Sequence, residues 1–259
     1  MKTQLPRLNS EKILKDCPTF FHRIEIVESI DSTNTRCKQE ATLHNEGYLL
    51  VAESQTSGRG RWNRVFNSPA YTGLYVSLLL KPKDSSTILN KLSLITPCAM
   101  AKAIVELTQL KVQIKWPNDL WFNGKKLAGI LIESSFKPNS DILEYVVIGI
   151  GVNVHQQDFP TELKDIAASI ENFTEYPCDR NLLLNAFLKH FYILLNQSAI
   201  IDDYKTFMMP KGTPIKVIST QEHYHALIED IDNQGHLIIK KEDNTLVTLI
   251  SEEIRIRPL

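Results

Sequence analysis

Apolar positions in this chain fall mostly in short alternating or continuous runs, a pattern that predicts strands. Arg23 to Glu28 alternates apolar and polar residues, and Tyr48 to Ala52 and Leu74 to Leu80 are continuous apolar runs typical of buried strands. Two long segments, Ile88 to Leu110 and Asp179 to Gln197, instead space their apolar residues as helices do. Helices in blocks, rather than in strict alternation with strands, favour an α+β domain.

Two details of the helices follow from local residue chemistry. Pro97 lies inside the first long helix and is predicted to kink or divide it, because proline lacks the backbone N–H. A shorter helix is predicted to run to about Leu43, with Asp31 or Ser32 as its N-cap. Taken alone, the polar cluster Asp31 to Thr35 is explained by capping.

In the middle of the chain, strands follow one another through short turns. Val112 to Trp116 is predicted as a short strand that turns at Pro117-Asn118-Asp119 and resumes over Leu120 to Phe122. Asn123-Gly124 is a strong hairpin signal before the next strand, Lys126 to Glu133, and a further strand spans Tyr145 to Val154. Strands joined in this way pair antiparallel, so we expect a mostly antiparallel mixed sheet flanked by helices.

The pattern changes after Met209-Pro210-Lys211-Gly212. Turn residues at Asp232 to Gly235 and Glu242 to Asn244 separate four short predicted strands: Pro214 to Ser219, Tyr224 to Ile231, His236 to Lys240 and Leu246 to Ile250. Short strands of this kind predict a small β-barrel. We therefore expect a main domain over residues 1–210 and a small C-terminal barrel over residues 211–259.

Composition narrows the function classes. The chain has 259 residues and a net charge of -1, which argues against a general nucleic-acid binder because such proteins carry a basic excess. Its four cysteines are scattered without CxxC spacing, which argues against a zinc site and indicates reduced cytosolic thiols. We see no signal peptide and no apolar run of roughly 20 residues, so the expectation is a cytoplasmic protein without a membrane partner.

A cationic, glycine-rich stretch from Gln55 to Arg64 follows the apolar run Tyr48 to Ala52. It places Arg59, Arg61 and Arg64 close together with two glycines. Arginine presents a planar fork of donors to carboxylate or phosphate, and glycine lets the backbone approach a ligand closely. The stretch therefore indicates an anion-binding loop; the alternative is a solvated surface loop.

A second group of candidate residues lies at the predicted strand–turn–strand corner. Lys115 and Lys126 are expected to lie in neighbouring strands of a hairpin, with Asp119 on the same face. Two ammonium groups side by side require an anion between them, such as a phosphate or carboxylate, and Asp119 is a candidate Mg²⁺ ligand. The alternative is two solvated lysines beside an Asn-Asp turn.

The segment Gly149 to Val154 has a superficial likeness to a dinucleotide-binding motif. The third glycine is missing at the required spacing and no helix is predicted to begin there, so we reject a Rossmann fold. The glycines are interpreted as points of close backbone approach, with Asn153 offering an amide to a nucleotide.

Together these stretches closely resemble the biotin protein ligases. Five motifs occur in the family's order: Asp31-Ser32-Thr33-Asn34, Gln55-Thr56-Ser57-Gly58-Arg59-Gly60-Arg61, Lys115-Trp116-Pro117-Asn118-Asp119, Lys126-Leu127-Ala128-Gly129-Ile130-Leu131-Ile132-Glu133 and Gly149-Ile150-Gly151-Val152-Asn153. The resemblance implies a catalytic domain similar to class II aminoacyl-tRNA synthetases and an SH3-like barrel. It also implies that biotin and ATP form biotinyl-5′-AMP, from which biotin passes to a lysine of a carboxylase's biotin carboxyl carrier domain.

The resemblance also implies roles for individual residues. The implied biotin contacts are Ser32, Thr33, Asn34, Gln55, Arg59, Gly60, Arg61 and Lys126. The implied ATP contacts are Arg64, Lys115, Asn118 and Asn153. The implied catalytic residues are Lys126, Arg61, Lys115 and Asp119, with Asp119 as the candidate for Mg²⁺.

The sequence departs from the family pattern in two respects, and it leaves alternative functions open. Phe66 stands where many relatives carry tryptophan, which is a departure from the family in the apolar wall beside the ligand. The stretch before Arg23 is too short for the winged helix-turn-helix of some relatives, so we expect no DNA binding. The rival functions are a lipoate protein ligase, a non-catalytic biotin sensor and an RNA-binding module; both a monomer and a homodimer are compatible with the sequence.

Overall fold

The computed structural model describes residues 5–83, 86–218, 223–250 and 255–258, and these form two sheets with five α-helices. The strands of the larger sheet are β1 (Arg23–Val27), β2 (Tyr48–Ala52), β3 (Gly73–Leu80), β4 (Gln113–Lys115), β5 (Asp119–Phe122), β6 (Lys125–Phe136) and β7 (Leu143–Asn153). The helices are α1 (Ser10–Leu14), α2 (Thr33–Gln39), α3 (Ser86–Thr108), α4 (Arg180–Leu195) and α5 (Ile201–Phe207).

The larger sheet has the strand order β1-β2-β3-β7-β6-β5-β4. β1 and β2 are parallel, and every other neighbouring pair in this sheet is antiparallel. This confirms the predicted α+β fold with a mostly antiparallel mixed sheet. Asn123 and Gly124 both have positive φ, as the hairpin between β5 and β6 requires.

One predicted helix end was wrong, one of the two predicted N-caps was confirmed, and the predicted division at Pro97 was not found. α2 ends at Gln39 rather than near Leu43, and Ser32 rather than Asp31 supplies its cap, since its hydroxyl accepts from Thr35 N. Pro97 lies within an undivided α3, whose neighbouring residues Ile95 and Cys98 are completely buried. Packing of this helix therefore outweighs the lost backbone hydrogen bond.

The two faces of the larger sheet have different roles. One face packs against α3 and α4 and forms the main core, with side chains such as Val76, Ile148 and Phe187 fully or almost fully buried. The other face carries α2 over a smaller cluster: Cys37, Ala41, Tyr48, Leu50, Leu79 and Val147. α2 covers only one end of this second face, and the candidate site lies beside it.

The strands of the smaller sheet are β8 (Pro214–Ile218), β9 (His223–Ile231), β10 (Leu237–Lys241), β11 (Leu246–Leu249) and β12 (Arg255–Pro258), of which β12 was not predicted. They pair antiparallel in the order β11-β10-β9-β8-β12. Trp116 Nε1 donates to Gly235 O at 2.9 Å, and Lys205 pairs with Asp230 at 2.8 Å. The small sheet is thereby attached to the corner between β4 and β5 and to α5.

α3 is the one helix in the described residues that is long and apolar enough to cross a membrane by length and composition. Its side chains supply much of the main core, among them Leu92, Ile95, Ala99 and Ile104, each with no exposed surface. Such burial is typical of the central helix of a folded domain.

Candidate active site

Strand register aligns the predicted catalytic residues across the open face of the larger sheet. Lys115 pairs with Asp119, Asp119 with Gly129, and Gly129 with Gly151. Directly paired residues project to the same face of a sheet, so this row crosses β4, β5, β6 and β7. Lys115 and Lys126 were expected in neighbouring strands, which was wrong: β5 lies between β4 and β6 and places Asp119 between the two lysines.

The two lysines of this corner have different partners. Lys126 Nζ donates to Asp119 Oδ1 at 2.6 Å, and Lys115 Nζ lies 4.4 Å from the ring centroid of Trp121, a cation–π distance. Gly129 makes the first contact possible, because a Cβ there would lie 2.9 Å from Lys126 Nζ. The carboxylate and the ring thus hold both ammonium groups on the open face.

The start of α2 and the start of the cationic loop are joined by hydrogen bonds. Gln55 Oε1 accepts from Thr33 N at 2.9 Å and lies 3.1 Å from the Thr33 hydroxyl. Gln55 Nε2 donates to Ser68 Oγ at 3.0 Å. Ser32, Thr33 and Gln55 therefore keep fixed positions relative to one another, although Thr33 and Gln55 are 22 residues apart in sequence.

Asn34 lies flat on the sheet beside this pair. Its Nδ2 donates to Glu133 Oε2 at 2.9 Å, and its Oδ1 lies 2.6 Å from Ser77 Oγ. A Cβ on Gly149 would lie 2.1 Å from Asn34 Oδ1, so the strand must carry glycine beneath this amide. Close approach to the backbone was expected at this glycine, and in the structure the Asn34 side chain makes such an approach.

Glu133 is a site-supporting residue that the sequence analysis did not select. It accepts from Lys38 Nζ at 2.6 Å and lies 3.4 Å from Arg59 Nη2. Burial disfavours its charged form, but hydrogen bonds from Lys38 and Asn34, together with the charges of Lys38 and Arg59, lower the pKa of Glu133 below its usual value. The signal was its place at the end of the fourth motif, four residues after Gly129 on the same strand face.

The cationic loop is folded as a narrow hairpin. Gly58 O accepts from Phe66 N at 2.8 Å, and Arg64 O accepts from Gly60 N at 2.8 Å. Trp62 lies at its tip with a positive φ of 61° and is 40% exposed. The hairpin projects its arginines towards the open face of the sheet.

Phe66 supplies an apolar wall to the site. Its ring packs edge-on against Tyr75, with 6.4 Å between the ring centroids. A Cβ on Gly151 would lie 2.6 Å from Phe66 Cε1, so this ring rests on the backbone of β7. A phenylalanine at this position thus makes a closed wall without tryptophan.

Two predicted nucleotide contacts are engaged with the protein backbone. The Asn118 amide nitrogen donates to Ile130 O, which fastens the corner before β5 to β6. Asn153 is 5% exposed, and its Nδ2 donates to Ala168 O at 3.3 Å. Each therefore has a structural task as well as a position on the cavity wall.

One cavity of about 820 Å³ joins these groups. Every residue singled out in the sequence lines it: Ser32, Thr33, Asn34, Gln55, Arg59, Gly60, Arg61, Arg64, Lys115, Asn118, Asp119, Lys126 and Asn153. Residues that the sequence did not point to also contribute, notably Trp121, Ile256 and Pro258. The volume lies within the range of pockets that enclose small organic ligands.

Comparison with known sequences assigns this arrangement to a family. The model of the biotin/lipoate A/B protein ligase family matches residues 26–153. The bifunctional ligase/repressor BirA of Bacillus subtilis is 36% identical over 228 residues, which cover 84% of this chain and 70% of BirA. The biotin–[acetyl-CoA-carboxylase] ligase of Mycobacterium tuberculosis is 27% identical over 249 residues, which cover 92% of this chain and 90% of that protein.

Solved structures agree with the sequence comparison. The biotin protein ligase of Aquifex aeolicus in complex with biotin and ATP has a TM-score of 0.79 and 28% identity, covering 92% of this chain and 99% of the other. The Leishmania major biotin protein ligase in complex with biotinyl-5-AMP has a TM-score of 0.62 and 25% identity, covering 91% and 100%. With its motifs on one face of this sheet around one cavity, the chain belongs to the biotin/lipoate A/B protein ligase family, as a biotin protein ligase.

Proposed function

We propose that this chain activates biotin with ATP and then transfers it to a lysine of a biotin carboxyl carrier domain. The carboxylate of biotin attacks the α-phosphorus of ATP, the bond to pyrophosphate breaks, and biotinyl-5′-AMP forms. The lysine amine then attacks the acyl carbon, and AMP leaves. The observation that carries this proposal is the single cavity in which the polar groups of α2 face a cluster of cations.

The first step brings two anions together, so positive charge must offset their repulsion. Lys126 is the best candidate to contact the reacting carboxylate, because Asp119 orients its ammonium group on the open face at 2.6 Å. Lys115 and the arginines 59, 61 and 64 line the same cavity and serve the phosphates and the adenylate. Phosphoryl transfer relies mainly on such positioning and electrostatic stabilisation.

Mg²⁺ remains a proposal for this chain, and Asp119 fits poorly as the residue that would hold it. Lys126 already compensates the Asp119 carboxylate, and the described residues contain no group of three or more His, Cys, Asp or Glu side chains suited to a metal. Mg²⁺ characteristically binds substrate phosphates with few protein ligands. We therefore assign Asp119 to orienting Lys126 and expect any Mg²⁺ to arrive with ATP.

We assign the end of the cavity beside α2 to the ring system of biotin. Thr33, Asn34 and Gln55 offer polar atoms there, and Phe66 offers an apolar surface. We assign the opposite side, with Lys115 and Asn153, to the nucleotide. Trp121 lines the same cavity, and its buried Nε1 has no hydrogen-bond partner among the described residues.

The division into a catalytic domain (1–210) and a C-terminal barrel (211–259) is part of the proposal. Ile256 and Pro258 of the small sheet line the cavity, which supports a contribution of that region to ligand binding. The proposed protein partner is the carrier domain of a carboxylase. We propose no DNA or membrane partner, a cytoplasmic location, and either a monomer or a homodimer.

The proposed transfer is tested by incubating the purified chain with biotin, ATP, Mg²⁺ and a carrier domain. Mass spectrometry is expected to show one added biotinyl group on the carrier's acceptor lysine. A carrier with that lysine replaced by arginine serves as the control and is expected to stay unmodified. Adenylate formation without any transfer to the carrier would contradict the second half of the proposal.

Gly58 to Arg64 is expected to become protected when the adenylate forms. The loop is exposed at its tip and rich in arginine, and an acyl adenylate needs protection from water. Biotin and ATP together are therefore expected to slow tryptic cleavage at Arg59, Arg61 and Arg64 by about tenfold or more. Cleavage mapped by mass spectrometry, with Lys211, whose side chain is 70% exposed, as an internal reference, provides the measurement. Equal loop cleavage with and without ligands would contradict this expectation.

A further inference from the structure

The Glu133 carboxylate faces three donor groups, two from α2 and one from the cationic loop. Its Oε2 accepts from Asn34 Nδ2 at 2.9 Å, its Oε1 accepts from Lys38 Nζ at 2.6 Å, and Arg59 Nη2 lies 3.4 Å from Oε1. An ionised carboxylate can only accept hydrogen bonds. Glu133 therefore dictates which end of the Asn34 amide faces it.

The orientation of Asn34 determines the direction of the next hydrogen bond. Its nitrogen faces two acceptors, Glu133 and the carbonyl oxygen of Leu131 at 3.4 Å, so its oxygen faces Ser77. The distance from Asn34 Oδ1 to Ser77 Oγ is 2.6 Å. An amide oxygen cannot donate, so the proton of this bond belongs to Ser77.

The number of available hydroxyl protons also determines the direction of the hydrogen bond between Ser77 and Thr33. Ser77 has one hydroxyl proton, which Asn34 uses. The Thr33 hydroxyl has one proton for two contacts, Ser77 Oγ at 2.8 Å and Gln55 Oε1 at 3.1 Å. We place this proton on the shorter contact, because Gln55 Oε1 already accepts from Thr33 N at 2.9 Å. No hydroxyl proton then remains between Thr33 Oγ1 and Gln55 Oε1, which lie 3.1 Å apart on the cavity wall. Two acceptor oxygens this close form a site for an N–H donor from a ligand.

We propose that Glu133 is a positioning residue that sets the hydrogen-bond polarity of the biotin-ring subsite, so that Thr33 and Gln55 together accept a ureido N–H of biotin. The inference rests on the proposed function, which puts the biotin ring at this end of the cavity. Glu133 acts through Asn34 and Ser77. The ureido group of biotin carries two N–H donors and one carbonyl acceptor, so subsite polarity determines which ring chemistry is accepted.

Glu133→Gln keeps the size of the side chain but reverses the direction of the hydrogen bonds that run from Glu133 through Asn34 and Ser77 to Thr33. The oxygen of the introduced glutamine stays with the cations Lys38 and Arg59, so its NH₂ group faces Asn34. Asn34 then turns its oxygen towards that group and its nitrogen towards Ser77, which is freed to donate to Thr33. The Thr33 proton now lies towards Gln55 and removes the pair of acceptors.

The test compares binding of biotin with binding of two cyclic carbamate analogues, each with one ring N–H replaced by oxygen. Calorimetry of the unsubstituted protein is expected to show one analogue binding weaker than biotin by on the order of tenfold to a hundredfold. In Glu133→Gln the ratio of the Kd of that analogue to the Kd of biotin is expected to fall to about threefold or less. Lys38→Met, which removes a neighbouring partner of Glu133 but leaves Asn34 Nδ2 with its acceptor, is expected to keep the original ratio.

A double variant, Glu133→Gln with Asn34→Asp, supplies the rescue. The introduced glutamine then donates to the new carboxylate, whose other oxygen accepts from Ser77 as Asn34 does, so the preference for biotin is expected to return. An unchanged ratio in Glu133→Gln, with biotin and analogue weakened equally, would overturn the inference, as would failure of the double variant to restore the ratio. No biotin binding by the unsubstituted protein would overturn the proposed function as well.

Discussion

Replacing Lys126 with alanine is expected to lower kcat/KM for biotin adenylation by about 10²- to 10³-fold, the usual cost of removing one donor aimed at developing charge. Lys126 Nζ is oriented by Asp119 at 2.6 Å and crosses the Cβ-free surface of Gly129 into the cavity. Its loss also leaves the Asp119 carboxylate uncompensated next to anionic substrates. Initial rates of biotin-dependent pyrophosphate exchange measure the effect.

Lys125→Ala is the matched control for this prediction. Lys125 precedes Lys126 on β6, but its Nζ donates to Lys164 O at 2.8 Å on the surface and the residue does not line the cavity. Adenylation by this variant is expected to stay within about twofold of the unsubstituted rate. Equal losses of adenylation activity in the two variants would indicate a general effect of lost charge or of impaired folding. That outcome would contradict the role given to Lys126.

Glu53→Gln is expected to have the largest effect on stability, lowering the free energy of unfolding by about 3–5 kcal/mol, the range for breaking a buried ion pair. Glu53 Oε2 accepts from Arg180 Nη1 at 2.6 Å, and the two side chains are 4% and 1% exposed. Glu53 Oε1 also accepts from Leu8 N at 2.9 Å. Neutralising Glu53 leaves the Arg180 charge buried without a counterion.

Urea unfolding followed by circular dichroism tests this expectation, with Arg7→Met as the matched control. Arg7 pairs with Glu28 at 3.2 Å, but those side chains are 64% and 58% exposed, so the change is expected to cost at most about 1 kcal/mol. A Glu53→Gln midpoint no lower than that of Arg7→Met would show that the buried pair contributes little. Glu53 lies two residues before Gln55, so this pair also supports the start of the cationic loop.

Strong local periodicity made much of the fold predictable from the sequence. The apolar runs of β2 and β3 and the Asn123-Gly124 turn each specify structure within a few residues, and all three were confirmed. The short elements α1, α5 and β12 were missed, because contacts with distant parts of the chain stabilise them. Asn185, for example, donates to Ile13 O at the end of α1.

The residues of the candidate site were also predictable only in part. Residues inside the compact motifs, such as Arg61 and Lys126, were selected from the sequence and line the cavity. Ser77 and Trp121 lie outside the motifs, and they belong to the site only because the register brings them there. The position of β5 between Lys115 and Lys126 likewise depends on strand order, which a hairpin signal alone does not specify.

The most direct test of the central claim is ATP–pyrophosphate exchange by the purified chain with biotin, with lipoate and with neither. We predict exchange that requires biotin, because the polar end of the cavity suits the ureido ring and the cations suit adenylation of the biotin carboxylate. Exchange supported by lipoate in place of biotin, or no exchange with either acid, would contradict it.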